Sequence, residues 1–450
     1  MTKDPRARPL LLGAVADDVT GATDLGSTLS QNGMDVVQIL GSPAGDDTPV
    51  EADAVIVALK TRTAPVEEAV TESVEAARWL LGHGARQLFF KYCSTFDSTA
   101  SGNIGPVAEA LLDLVEEDLT VVCPAYPENE RTVYQGHLFV GHRLLSESGM
   151  RHHPLTPMDD PDLVRFLGKQ CRDASTVGLV PFAAVDQGAG PIRAALEELR
   201  SRGGRLAVVD AVEEDHLWST ATAVAGLRLL TGGSGIARGL PANFRRTGAL
   251  PQRVEPSLPD LRPPVAVLAG SCSEATQAQV VAMAARHPTV ALDPVALATD
   301  RQTVDEVVVA ARAALDGGAV LIHSSAPPEE VEKAQKTLGK EPASEVLEKA
   351  FGEIASALVD EGVRTLVVAG GETAGQVAAT LGLRRLRIGP EIDPGVPWTL
   401  HLGEPAVHVA CKSGNFGSED FFLKARPVPG RSCARRPASE RAWCSSPTTA

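Results

Sequence analysis

A chain of 450 residues, 44% apolar and with a formal net charge of −15, is long enough for two or three domains, each with its own core. Its broad negative field repels phosphate backbones and anionic lipid, which excludes nucleic acid and membrane surfaces as general partners. The seven cysteines are widely spaced with no C-x-x-C pair, a pattern that argues against a secreted disulfide framework and for reduced thiols in a cytoplasmic protein.

Along the chain, apolar runs alternate with helical patterns. The N-terminus lacks the apolar core and cleavage site of a signal peptide, and no apolar stretch reaches the ~20 residues that cross a bilayer. Strands are predicted at 9–15, 36–40, 54–59, 87–91 and 119–123, with helices over 20–32, 65–81 and 105–117. The pattern resumes at 176–181 and 205–209. A proline-rich, aperiodic stretch at 251–264 reads as a linker. Further strands follow at 265–269, 289–292, 319–323, 365–369 and 387–388. Continuous apolar strands separated by helices define an α/β protein. The expectation is two domains, 1–250 and 265–425, each a mainly parallel sheet flanked by helices. The segment 426–450, rich in Arg, Pro, Ser and Ala, is predicted to be a disordered tail.

In open α/β sheets, ligands bind beyond the carboxyl ends of the strands. Polar clusters fall at several such ends. Asp17 and Asp18 follow the first strand and can orient hydroxyls, hold a metal or act as a base; capping of the next helix is the structural alternative. The stretch Lys91 to Asn103 gathers a cation, Asp97, hydroxyls that include Ser98 and Thr99, and the Asn103 amide. Such varied donors suit a small polar acid better than a simple turn does. Arg62 and Arg131, after neighbouring strands, are candidate anion clamps. The Gly232–Gly233–Ser234–Gly235 run is either a weak anion nest or a tight turn. In the second half, Ser271 and Ser273, Gly370–Gly371–Glu372–Thr373, and Gly414 lie in small-residue loops at strand ends. Two of these loops open helices, where free N–H groups favour phosphate. Neither a P-loop nor a clean G-x-G-x-x-G is present. The ten histidines show no metal-ligand spacing, and no G-x-S-x-G elbow occurs.

Six ordered blocks resemble the four-carbon acid sugar kinase family: ADDVTGATDLG (16–26), KYCSTFDSTASGNIGP (91–106), PAYPENERTVYQGHLFVGHRLL (124–145), GGETAG (370–375), GPEIDPGVPWT (389–399) and KSGNFGSEDFF (412–422). The KYCSTF and EIDPGVPW segments look like its 3-oxo-tetronate kinase branch, and the loop lacks the arginine of the K-x-D-S-T-L-R-G-N type found in threonate and erythronate kinases. The resemblance implies ATP-dependent phosphorylation of a C4 hydroxyl in a cleft between a sugar-acid domain and a nucleotide domain. It implies Asp17, Asp18 and Asp97 as catalytic candidates. It assigns Arg62, Lys91, Ser98, Thr99, Asn103 and Arg131 to the sugar acid, and Ser271, Ser273, Gly370, Gly371, Glu372, Thr373 and Gly414 to ATP. Mg²⁺ is expected with ATP, its ligands unnamed, and a homodimer is a candidate assembly. A D-threonate or D-erythronate kinase, a nicotinamide-dependent oxidoreductase and a non-catalytic sugar-acid sensor are the competing readings.

Overall fold

Each predicted apolar run overlaps a strand, and most are buried on both faces beneath helices, the edge strand Thr289–Ala291 being the exposed exception. The structure is a computed structural model that describes residues 10–46, 48–252 and 256–426. Residues 253–255 of the linker, and all of the predicted tail except Arg426, lie outside the described residues.

The first half contributes β1 (Leu12–Ala16), β2 (Val36–Leu40), β3 (Ala54–Ala58), β4 (Gln87–Lys91), β5 (Thr120–Cys123), β6 (Arg131–Tyr134), β7 (His137–Val140), β8 (Arg143–Leu144), β9 (Val177–Val180), β10 (Leu206–Val209) and β11 (Leu229–Gly232). The second half contributes β12 (Val265–Ala269), β13 (Thr289–Ala291), β14 (Ala319–His323), β15 (Thr365–Ala369), β16 (Arg385–Asp393), β17 (Val396–His401) and β18 (His408–Lys412). Buried patterns such as the fully buried β1, β3 and β15 are those of parallel strands covered on both sides.

The strands of the two halves join in one sheet of fifteen among the described residues, ordered β13-β14-β12-β15-β18-β17-β16-β2-β3-β1-β4-β11-β5-β10-β9. Each half is mainly parallel, as expected, but the halves are fused edge to edge. The seam is short and antiparallel: Arg385, Leu386 and Arg387 of β16 pair with Ile39, Gln38 and Val37 of β2. One hydrophobic cluster fills the first half, and two clusters line the two faces of the second.

The block after β5 departs from a plain strand-end loop. It folds into a separate antiparallel sheet, β6-β7-β8. Gln135 and Gly136, with φ of +50° and +74°, make the two-residue turn of the β6–β7 hairpin. The buried Asp210 carboxylate holds that turn by accepting from both of its backbone N–H groups at 2.8 Å. No helix among the described residues is long and apolar enough to cross a membrane.

Candidate active site

β1 sits between β3 and β4, so the residues just past these three strands converge. The backbone N–H of Asp17 donates to the Lys91 carbonyl, and the Asp17 carbonyl accepts from the backbone N–H of Thr61 and of Arg62. The Arg62 guanidinium forks onto the Asp17 carboxylate, Nε to Oδ2 and Nη2 to Oδ1, both at 2.9 Å. The same Nη2 donates to Asp18 Oδ1 at 2.6 Å. Asp97 Oδ2 stands 3.9 Å from Arg62 Nη1. Three carboxylates therefore surround one guanidinium.

Burial pushes the Asp17 carboxyl above its ordinary range, and the Arg62 charge opposes the shift. Burial also works against the charge on Arg62, but Asp17 and Asp18 outweigh it and hold the guanidinium firmly protonated. Asp18 does serve as the helix cap: its Oδ1 accepts from the Gly21 N–H at 3.0 Å. The structural and functional readings of Asp18 thus coincide in one oxygen atom. Gly21 is required there, because a Cβ would lie 2.4 Å from that oxygen and 2.9 Å from Lys91 Nζ. Lys91 is buried at the end of β4, its Nζ donating to the Tyr92 carbonyl at 2.9 Å.

The rest of the loop is fixed from outside. Thr95 Oγ1 donates to Asp97 Oδ1 at 2.6 Å. Asn103 Nδ2 donates to the carbonyls of Thr61 and Ala64 at 2.6 and 3.0 Å, which holds the Arg62 turn, while its buried Oδ1 has no partner. Gln170 donates to Ser98 Oγ at 3.0 Å and to the Thr99 carbonyl at 2.7 Å, and accepts from the Gly105 N–H. Arg62 thus joins Asp17, Asp18 and Asp97 in one cluster, with Lys91, Ser98, Thr99 and Asn103 in the loop around them. Arg131 opens β6 and donates to the carbonyl of its neighbour Asn129, a contact that does not join it to this cluster.

The Gly232–Gly235 run is explained by packing. Cβ atoms at Gly232, Gly233 and Gly235 would lie 2.3, 2.8 and 2.4 Å from the carbonyl oxygens of Cys123, Pro124 and Ala125. These glycines let two backbones touch.

In the second half, the ends of β12, β15 and β18 converge in the same way. Ser273 caps the helix Glu274–Ala284 through the Thr276 N–H and donates to the Gly414 carbonyl at 2.7 Å. That carbonyl also accepts from Thr276 Oγ1 and from Lys412 Nζ, both at 2.8 Å. Lys412 is buried at the end of β18, and burial pulls its pKa from the usual 10.5 down to about 8. Gly370, at φ +122°, precedes the helix Gly371–Thr380. A Cβ on Gly270 would strike Thr373 Oγ1 at 2.1 Å, and one on Gly414 would strike Ser271 Oγ at 2.4 Å. Together these loops line a pocket of about 240 Å³. Its opposite wall comes from the helix Lys340–Asp360: Ser344, Leu347, Glu348 and Phe351.

Backbone N–H groups at a helix N-terminus, glycines and hydroxyls on one side, with Leu347 and Phe351 on the other, suit a molecule with an anionic end and an apolar ring. Ser271, Gly370, Gly371, Glu372, Thr373 and Gly414 all line this pocket, and Ser273 stands one hydrogen bond behind it. Sequence reasoning missed the helix Lys340–Asp360, which carries no motif. Lys412 entered it only as the first residue of the 412–422 block, with no role given, and Gln170 did not enter it. The strand-end rule that selected Lys91 would have selected Lys412.

Two polar clusters thus stand at strand ends in opposite halves of one α/β sheet, one of carboxylates around Arg62 and one of glycines and hydroxyls that line a pocket, the arrangement of a two-domain α/β protein with a site in each half. Family models agree with that division: a sugar-binding N-terminal domain matches residues 12–240 and a nucleotide-binding C-terminal domain matches residues 266–422. A 3-oxo-tetronate kinase of Pseudomonas fluorescens is 51% identical over 93% of this chain and 96% of its own length. Another from Burkholderia multivorans is 50% identical over 93% and 97%. The crystal structure of a Haemophilus influenzae protein of the DUF1537 family superposes with a TM-score of 0.84, at 41% identity over 92% of this chain and 98% of that one. The chain belongs to the family of the 3-oxo-tetronate kinases.

Proposed function

We propose that the protein transfers the γ-phosphoryl group of ATP to the C4 hydroxyl of a 3-oxo-tetronate. The carrying observation is the pairing, within one sheet, of the Asp17–Asp18–Arg62–Asp97 cluster with the glycine-lined pocket at the start of the helix Gly371–Thr380. Near-50% identity to 3-oxo-tetronate kinases over nearly the whole chain supports the substrate.

In this reading Lys91 and Arg62 attract the sugar-acid carboxylate, while Ser98, Thr99 and Asn103 present hydrogen-bonding atoms to its oxygens. Asp97 accepts the proton of the C4 hydroxyl. Asp17 and Asp18 are committed to Arg62, whereas Asp97 Oδ2 stands off it at 3.9 Å. The oxygen so freed attacks the γ-phosphorus, the bond to the bridging oxygen breaks, and ADP leaves. The protein contributes alignment and charge rather than a covalent intermediate.

The pocket's chemistry fits ATP, and its two carboxylates, Glu348 and Glu372, could hold a Mg²⁺ ion carried in on the phosphates. Such an ion keeps most of its waters and neutralises phosphate charge.

β18, β17, β16, β2, β3 and β1 are successive neighbours, so the two sites are five strand spacings apart, on the order of 24 Å along the sheet. The three antiparallel pairings between β18 and β2 reverse the strand direction. In this reading a twist of the usual ~20–25° per step, accumulated over those five steps, offsets that reversal and brings the two sets of strand ends to face one cleft. Approach of the halves then brings the phosphate to the acceptor and excludes water.

The need for ATP, together with free thiols at the five described cysteines, supports a cytoplasmic setting for this activity. The test is coupled ADP release with Mg²⁺-ATP and 3-oxo-tetronate, D-threonate or D-erythronate offered separately. Fastest turnover with the 3-oxo acid is expected. Fastest turnover with threonate or erythronate would keep the kinase and overturn the substrate, and no turnover in folded protein would overturn the reading.

A further inference from the structure

β16 does more than close the sheet. Regular alternation would put Ile388 and Ile392 on one face. Instead Ile388 joins the core of the first half, where a Cβ on Gly26 would meet it at 3.0 Å, and Ile392 packs with the cluster of Val396, Trp398, Phe421 and Phe422 in the second. The cause is two register shifts, between Ile388 and Glu391 and between Glu391 and Asp393, since bulges re-aim side chains.

The two acids flanking Ile392 consequently grip different halves. Glu391 Oε1 accepts from Ser27 Oγ at 2.7 Å and from the Gly395 N–H at 3.0 Å. Ser27 is buried in the helix Val19–Gln31, the helix that Asp18 caps. Asp393 Oδ2 accepts from the Ser418 N–H at 2.8 Å and from Ser418 Oγ at 2.6 Å, and its Oδ1 accepts from Lys424 Nζ at 3.0 Å. Ser418 ends the loop that contains Gly414. Gln279 fastens the same loop to the helix Glu274–Ala284 through the carbonyls of Phe416, Gly417 and Ser418.

We propose that Glu391 and Asp393 are positioning residues that tie the sugar-acid helix Val19–Gln31 to the nucleotide loop 413–418, so that the two substrates are aligned together. The proposal rests on the assignment of sugar acid and nucleotide to the two halves. Neither residue belongs to the pocket lining or to the Arg62 cluster. A helix is stiff over the nine residues from Asp18 to Ser27, ~14 Å of rise, so a shift at its capped end reaches Glu391.

The experiment combines hydrogen exchange and steady-state kinetics on the full chain. Glu391→Ala should raise amide exchange in 413–418, which Glu391 does not hydrogen-bond, as well as in 19–31. Asp393→Ala should loosen 19–31 as well as its own loop. Ser27→Ala, which cuts the link from the other side, should reproduce the Glu391→Ala pattern, and Glu391→Gln, which keeps the accepting oxygen, should restore protection. In turnover, the alanine variants should lose about tenfold in kcat with both KM values within about threefold. Exchange that rises only beside each substitution would overturn the link, as would a raised KM for one substrate at unchanged kcat. The exchange pattern needs no turnover, so inactivity of the unaltered protein toward all the acids would count against the proposed activity alone.

Discussion

Arg62 and Asp17 meet fork to fork, two bonds of 2.9 Å between a guanidinium from the turn after β3 and a buried carboxylate at the end of β1. A lysine has the charge but not the fork. Arg62→Lys should therefore fold and lower kcat/KM by roughly two orders of magnitude through misplacement of Asp17 and Asp18. Arg62→Ala leaves Asp17 buried without its partner and should also cost about 3 kcal/mol of stability. Denaturant titration beside kinetics separates the two effects.

Asp97 is the carboxylate of this cluster least occupied by Arg62. Asp97→Asn should keep the bond from Thr95 and lower kcat by about 10²-fold or more, with the KM for the sugar acid within about threefold. Steady-state kinetics checks this. A raised KM at unchanged kcat would make Asp97 a binding group instead.

Gly414 has no room for a side chain beside Ser271 and Ser273. Gly414→Ala should push the loop outward and raise the KM for ATP about tenfold, leaving the KM for the sugar acid unchanged. Gly375, in the neighbouring helix, has open space within 4 Å of the point where a methyl group would sit. Gly375→Ala should stabilise the protein by about 0.5–1 kcal/mol without moving either KM. Kinetics and thermal melts on both variants check the contrast.

Lys412 gives a pH signature. Folded, it releases its proton near pH 8; unfolded, near 10.5. Between these values the unfolded chain binds more protons, so stability rises with pH. Below about pH 8 both states are protonated and the cost of the buried charge is at its largest. Relative to Lys412→Met, the protein should gain stability from pH 8 to 10.5, by on the order of 3 kcal/mol at most. Melting temperatures of both proteins across that range measure it.

The strands were legible because burial on both faces makes them continuous apolar runs: Val265–Ala269 and Thr365–Ala369 are observed where they were predicted. The strand-end rule also found most of the cluster around Arg62. What it could not see were partners set by long-range packing. Gln170 reaches the Ser98 loop from 72 residues away. Leu347 and Phe351 carry no local signal of a site until the fold lays their helix over Gly370. Arg131 satisfied the same rule as Arg62, but the hairpin at Gln135 and Gly136 makes it the first residue of a separate sheet. The pairing of β16 with β2 joins segments at opposite ends of the described chain, and local pattern carries no trace of it.

That seam has a consequence for any attempt to divide the protein. Cutting the chain in the 251–264 stretch would strip β16 from β2 and leave each fragment with a bare rim of unpaired N–H and C=O groups. On the first fragment the rim is β2, whose Val36, Val37 and Ile39 favour extended chain. Such rims recruit other chains. Fragments made separately would therefore stick to themselves, whereas fragments made together would have a complementary rim to recapture. The seam that joins the two halves also keeps each half's open edge away from other molecules.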